Sequence, residues 1–158
     1  MEGTLRVPFI IRWPGNVPEH TTFNEMVHVT HIFTTILSMA GAEKPSDRPI
    51  DGIDQLNFFQ NPVTEKSKRE GFLFYIKDEL RAVKWRNWKL HLVWEPKVNQ
   101  SSGKLESPYL FNTTRDPKEE SNILAYNTWV LQPMMKLRAE FQKSLKYDPA
   151  PPDPMKDI

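Results

Sequence analysis

A mixed α/β fold is expected from three observations. An apolar β-rich segment, Leu5 to Trp13, is followed by a stretch with helical periodicity, Val27 to Gly41. Four short β-rich segments then crowd between residues 71 and 112, the pattern of an antiparallel sheet. A single long amphipathic stripe closes the described order near residue 145. The simplest architecture is the edge of an α/β layer to about residue 60, then a small antiparallel sheet carrying one packed helix.

The first segment, LRVPFIIRW, is apolar on successive positions from Val7 to Ile11, as in a strand buried on both faces of a parallel sheet. Pro8 counts against a fully bonded central position, and Trp13-Pro14-Gly15 closes the segment with a turn. Val29, Ile32, Phe33, Ile36, Leu37 and Ala40 then repeat at helical spacing, with Gly41 as the stop. Residues 42–68 read as loop, punctuated by Pro45, Pro49 and Pro62. Gly71 to Ile76, Arg81 to Trp85, Trp88 to Trp94 and Tyr109 to Asn112 are the expected strands, with Arg86-Asn87 as a turn and Asn99 to Lys104 as a loop. Val130, Met134, Leu137, Phe141 and Leu145 form the final stripe, and Pro133 suits its first turn. The expected domains are 1–60, 61–147 and a Pro-rich tail at 148–158.

Composition narrows the function classes. The 158 residues make one domain or a piece of a larger one. Lys plus Arg is 21 against 20 for Asp plus Glu, so no bulk charge drives the chain toward nucleic acid or an anionic membrane. Without cysteine there is no disulfide, thiolate metal site or Cys nucleophile. No apolar run reaches the roughly 18 residues of a membrane span, and no charged start leads into an apolar stretch, so the reading expects no signal peptide. Pro is 14 of 158, well above the usual ~5%, and four of these sit in the tail, which is expected to be extended.

Local motifs read mostly as structure. Asp116-Pro117-Lys118-Glu119 has the form of a helix start, with Asp as cap and Glu closing a capping box. Arg81, Lys84, Arg86 and Lys89 interleave with Trp85 and Trp88; stacking on nucleic acid is one reading, a hairpin with one core and one solvated face the favoured one. His28 and His31 share a helical face and could hold a metal, but no third ligand is near, and a surface or packing role is favoured. Asp47, Asp51 and Asp54 lack EF-hand spacing, so Asp51-Gly52 reads as a turn. Asn99-Gln100-Ser101 and Asn112-Thr113-Thr114 are glycosylation sequons that matter only in a secretory setting. There is no GxSxG, P-loop or GxGxxG, and spacing alone shows no catalytic constellation.

The order of several short motifs is similar to one family. Glu2-Gly3-Thr4-Leu5-Arg6-Val7-Pro8 and Ile11-Arg12-Trp13-Pro14-Gly15 resemble the "EGG-x-RVP…RWPG" stretch of type I sulfatases. His31 to Thr35 with Ala40-Gly41 resembles "D-x-x-PT…AG", and Arg48 to Asp54 resembles "R-x-IDG-x-D". Ala82-Val83 through Trp88-Lys89-Leu90, then Leu110-Phe111-Asn112 with Asp116-Pro117-x-Glu119 and Asn122, complete the order. The resemblance implies the C-terminal portion of a formylglycine-dependent, arylsulfatase-like enzyme of the alkaline phosphatase superfamily. On that fold the first segment is a late strand of the large sheet, and the remainder is a small C-terminal antiparallel subdomain with its helix.

The implied chemistry is hydrolysis of sulfate esters by a formylglycine nucleophile beside calcium. Neither belongs to this chain on the resemblance. None of its serines precedes x-Pro-x-Arg, and the family's cassette and metal carboxylates lie upstream. No catalytic or metal-binding residue is therefore assigned, and the chain alone is expected to be inactive. Arg81, Lys84 and His91 are the candidates for approaching an anionic substrate, with solvated hairpin residues as the plainer reading. The implied partners are the missing N-terminal catalytic portion and a sulfated small molecule or glycan; the implied location is periplasmic, lysosomal or extracellular. Three positions depart from the family pattern: Thr4 for Gly, His31 for Asp and Thr34 for Pro. A related phosphate-ester hydrolase, or a non-catalytic carbohydrate or protein interaction module built on Trp85, Trp88 and Trp94, is the alternative. Taken out of a larger sheet, Leu5 to Ile11 is expected to leave an exposed apolar edge.

Overall fold

The structure, a computed structural model, describes residues 5–94 and 103–147. The chain divides into two compact units, residues 3–70 and residues 71–158 with the first two residues. The Asn99 sequon, the Pro-rich tail and the Glu2-Gly3-Thr4 motif lie outside the described residues.

The second unit is a meander. Strands β1 (Gly71–Ile76), β2 (Glu79–Trp85), β3 (Trp88–Trp94) and β4 (Gly103–Asn112) pair antiparallel in the order β1-β2-β3-β4. All four expected strands are present, β4 beginning six residues earlier than its aromatic end suggested. Arg86-Asn87 turns β2 into β3 with Trp85 opposite Trp88. Val83 pairs with Leu90 and Leu90 with Leu110, which places three apolar side chains in one row across the sheet. Helix α1 (Thr30–Met39) and α2 (Leu56–Gln60) belong to the first unit; α3 (Leu131–Tyr147) lies on the second. Val130 and Met134 from the helical stripe close over the row, and these five residues are fully buried. Farther along, Phe141 meets Tyr75 with ring centroids 5.7 Å apart.

Where α3 crosses β1, only a hydrogen fits. A Cβ on Gly71 would stand 2.5 Å from the Lys84 carbonyl oxygen and 2.5 Å from Leu137 Cδ2. Gly71→Ala is expected to destabilise the second unit by about 1–3 kcal/mol, read from the urea midpoint by tryptophan fluorescence. An unchanged midpoint would show that α3 does not seat this closely.

The first unit departs from expectation in two ways. Leu5 to Trp13 forms no strand; among the described residues every strand is in the other unit, so this segment has no ladder to join. A strand exists only through its partners. Val7 and Ile10 accordingly stand exposed, as the reading of an orphaned edge expected. Helix α1 forms, and Gly41 ends it at φ 66° with Ala42 N–H donating to Leu37 O and Gly41 N–H to Ser38 O, a Schellman closure. Its apolar stripe, however, faces out. Val29, Phe33 and Ile36 are exposed, while the polar residues His31, Thr34 and Thr35 are buried.

Candidate functional site

The buried polar face of α1 holds the loop of residues 51–55. Thr35 Oγ1 donates to His31 O at 2.6 Å and accepts Gln55 N–H at 3.0 Å. Gly52 lies so close that a Cβ would collide with the Thr30 carbonyl oxygen, so Asp51-Gly52 serves as a close-approach point and not as the expected turn. His31 is 0% exposed and faces two N–H donors. Ile53 N–H reaches Nδ1 at 3.1 Å, and Arg69 Nε–H reaches Nε2 at 3.2 Å. Arg69 also donates to the Asp51 carbonyl at 2.8 Å. Burial first, then the nearby Arg69 and His28, pushes the imidazole down to about 4, so it is neutral near pH 7.

A neutral imidazole accepts at one nitrogen and donates at the other. One of the two N–H groups therefore confronts an N–H, a mismatch that an acceptor with two oxygens would not have. The rings of His28 and His31 are 6.2 Å apart, and each His31 ring nitrogen faces an N–H.

The second unit contains a buried charged cluster. Lys89 Nζ donates to Glu119 Oε1 at 2.8 Å, and His91 Nε2 to Glu119 Oε2 at 2.7 Å. Lys89 is 2% exposed and lies 5.6 Å from the Phe74 ring centroid. His91 packs edge-on against Trp94 at 5.1 Å and Phe111 at 5.6 Å. Burial pushes the Glu119 carboxyl up, but the hydrogen bonds from His91 and Lys89 and their charge outweigh it and hold it down at about 2. An ionised carboxylate only accepts, so the proton between the two lies on His91 Nε2.

This cluster corrects two expectations. The hairpin does not have a solvated second face, because Ala82, Lys89, His91 and Phe111 are all buried. Residues 116–121 form no helix either. Asp116 accepts Glu120 N–H at 2.9 Å and Ser121 N–H at 2.9 Å, while Glu119, at φ 61°, aims its side chain at the sheet instead of closing a capping box. The left-handed backbone turns that carboxylate inward. Just before it, Asn112 is buried and accepts Thr114 and Arg115 N–H at 3.2 Å each, so this sequon is committed to its own turn.

Arg81 is the unpaired residue of an irregularity in the β1–β2 ladder, where Phe74 pairs with Ala82 and Tyr75 with Leu80, while His91 pairs with Ala82 on the neighbouring strand. Arg81 Nε lies 3.1 Å from Glu79 Oε2, and Lys84 stands opposite Lys89 in register. Sequence reasoning gave no role to Arg69 or Glu119 at these sites. The family-like "IDG" and "DP-x-E" motifs marked their neighbourhoods without a mechanism.

Among the described residues no three His, Asp or Glu side chains are grouped to hold a metal. With no cysteine and no Ser-x-Pro-x-Arg, the donor set also gives formylglycine no seat. The described residues fit neither group.

Comparison with known proteins places these features in a lineage. Residues 67–156 match the family described as the C-terminal region of aryl-sulfatase. The chain is 31% identical to N-acetylgalactosamine-6-sulfatase of Sus scrofa over 90% of its own length and 31% of that protein's. It is 36% identical to steryl-sulfatase of Rattus norvegicus over 60% of its own length and 16% of the other. The crystal structure of PsFucS1 sulfatase from Pseudoalteromonas sp. aligns with a TM-score of 0.74 at 26% identity, covering 87% of this chain and 29% of that one. The chain spans about a third or less of the length of the relatives it matches.

Proposed function

Because the chain belongs to the aryl-sulfatase family through its C-terminal region, we propose that it is the C-terminal part of a sulfuric ester hydrolase. It acts together with the catalytic portion that precedes this region in its relatives. The observation that carries this reading is the continuity of the match. Similarity runs through 90% of the chain while occupying only 31% of the relative.

The exposed apolar residues support the reading. Val7, Ile10, Val29, Phe33 and Ile36 are what a larger sheet would cover. Calcium and formylglycine, which the family resemblance implies, then belong to the missing portion; their chemistry is the sulfuryl transfer itself. This chain's residues shape and brace. Glu119, Lys89 and His91 fix the 113–123 loop on the sheet, and Arg69 with His31 fixes the 51–55 loop on α1. An approach of Arg81 or Lys84 to a sulfated substrate belongs to the same proposal, supported by their charge, with His91 committed to Glu119. The substrate is a sulfated small molecule or sugar.

The purified chain is expected to release no product from 4-nitrophenyl sulfate with calcium present. The in-frame DNA upstream is expected to encode Cys/Ser-x-Pro-x-Arg. Turnover with stoichiometric calcium in the chain alone would overturn the division of labour. An upstream Thr or Ser nucleophile with two zinc sites would move the reading to phosphate esters.

A further inference from the structure

A sequon that carries an oligosaccharide stands on the surface, because the glycan is large and hydrated. The sequon Asn112-Thr113-Thr114 does not. Asn112 is 7% exposed and Thr113 4%, and of the three residues Thr114 is the exposed one. Asn112 is the last residue of β4 and pairs with Trp88 on β3.

Both oxygens of Asn112 are spent on the turn that follows. Oδ1 accepts the N–H groups of Thr114 and Arg115 at 3.2 Å each. The main-chain oxygen accepts those of Arg115 at 3.1 Å and Asp116 at 2.8 Å. Thr113 donates its N–H at 2.8 Å and its hydroxyl at 3.2 Å to the Asn87 carbonyl, back in the β2–β3 turn. These bonds set the start of the 113–123 loop. The loop then carries Glu119 to Lys89 and His91, and Ile123 N–H returns it to the Leu110 carbonyl at 2.9 Å. Asn112 stands where strand, hairpin turn and loop meet.

N-glycosylation joins the Asn amide nitrogen to C1 of a sugar carried on a lipid diphosphate. The C1–O bond to the diphosphate breaks, the lipid diphosphate leaves, and one amide proton passes to solvent. Burying the first sugar beside Asn112 would strip water from hydroxyls that find no partners there. Holding it in water would draw Asn112 away from the Thr114 and Arg115 amides and release the loop that brings Glu119 in.

We propose that Asn112-Thr113-Thr114 is an N-glycosylation site of the unfolded chain only, and that this modification and the folding of the second unit exclude each other. A chain glycosylated first does not seat the 113–123 loop. A chain folded first does not present Asn112 to the transferase. The proposal is independent of the sulfatase reading.

The test gives oligosaccharyltransferase and a lipid-linked oligosaccharide to the folded chain, and to the same chain diluted from urea directly into the reaction. Peptide-N-glycosidase turns each modified Asn into Asp, so mass spectrometry of the peptides reads Asn112 apart from Asn99. The unfolded chain is expected to be modified at Asn112, and the folded chain about tenfold less. Chains modified at Asn112 are expected to stay protease-sensitive after refolding conditions are restored. Thr114→Ala removes the sequon but keeps the N–H that Asn112 accepts, so it is expected to refold fully from the same reaction. Thr114→Ser keeps the sequon and is expected to follow the wild type. Asn99 is present in all of these chains, so Asn112 alone distinguishes them. A folded, protease-resistant chain bearing a glycan on Asn112 would overturn the proposal. So would an unfolded chain left unmodified there, or a Thr114→Ala chain that refolds no better than wild type after the reaction.

Discussion

Glu119→Ala is expected to destabilise the second unit by about 3–5 kcal/mol, because it strands the Lys89 ammonium where water cannot reach it. Urea unfolding followed by tryptophan fluorescence reads this unit well; Trp85, Trp88, Trp94 and Trp129 all belong to it. A buried ion pair repays its own desolvation only partly, so the double change Lys89→Met with Glu119→Leu is expected to recover much of the loss. The same carboxylate makes stability depend on acid. Its folded value near 2 lies below the ordinary 4.5, so the unfolded chain takes up the proton first as pH falls. The stabilisation is complete above about 4.5 and is lost as pH falls toward about 2. Glu119→Gln should flatten that slope. A Glu119→Ala variant within about 1 kcal/mol of wild type would show that Lys89 is not held in a dry site.

His31→Asp is expected to do the opposite and stabilise the first unit, by about 1–3 kcal/mol at pH 7. A carboxylate accepts from Ile53 N–H with one oxygen and from Arg69 with the other, which no neutral imidazole can do. The oxygen that replaces Nδ1 sits at the same place along the side chain, and Arg69 is long enough to follow the shorter residue. The wild type carries a second signature. His31 is lowered from 6.5 to about 4, so its contribution is intact above about 6.5 and is lost as pH falls toward about 4. In the variant this loss should vanish, and Arg69→Ala should abolish the gain in a double-mutant cycle. Protection of the Ile53 amide from hydrogen exchange is the local readout. A variant no more stable than wild type, with the same acid slope, would show that the pocket does not favour two oxygens.

Periodicity and turn chemistry made most of the second unit legible. The four strands, the Arg86-Asn87 turn and the α3 stripe are all local patterns, and each was found where its period put it except the start of β4, which runs back to Gly103. Gly41 was legible for the same reason. What was hidden depends on distance along the chain. Glu119 has the local form of a capping-box residue, and its true partners lie 30 and 28 positions earlier. Lys89 looks like a solvent-facing strand residue because nothing periodic announces a loop that will cover it. On α1 the spacing revealed that the helix has two faces but not which one this chain covers. Leu5 to Trp13 has the composition of a strand, yet composition cannot supply a neighbour. The tryptophan cluster was half visible: Trp85 and Trp88 stood out on the hairpin, whereas Trp129 meets both rings from a turn some 40 residues later in the chain.

The meander order has a consequence for how quickly the chain can organise itself. Every strand pairs with the one just before or after it, so no ladder has to wait for a distant segment to return. The β2–β3 hairpin closes over two residues, an event of microseconds, and each later strand adds to an edge already formed. Both tight corners nevertheless carry a left-handed cation, Lys77 at φ 53° and Arg86 at φ 52°, where glycine would bend freely. Each corner therefore carries a backbone cost that glycine would not, and the residue that bears it at the second is the one that lies over Trp85.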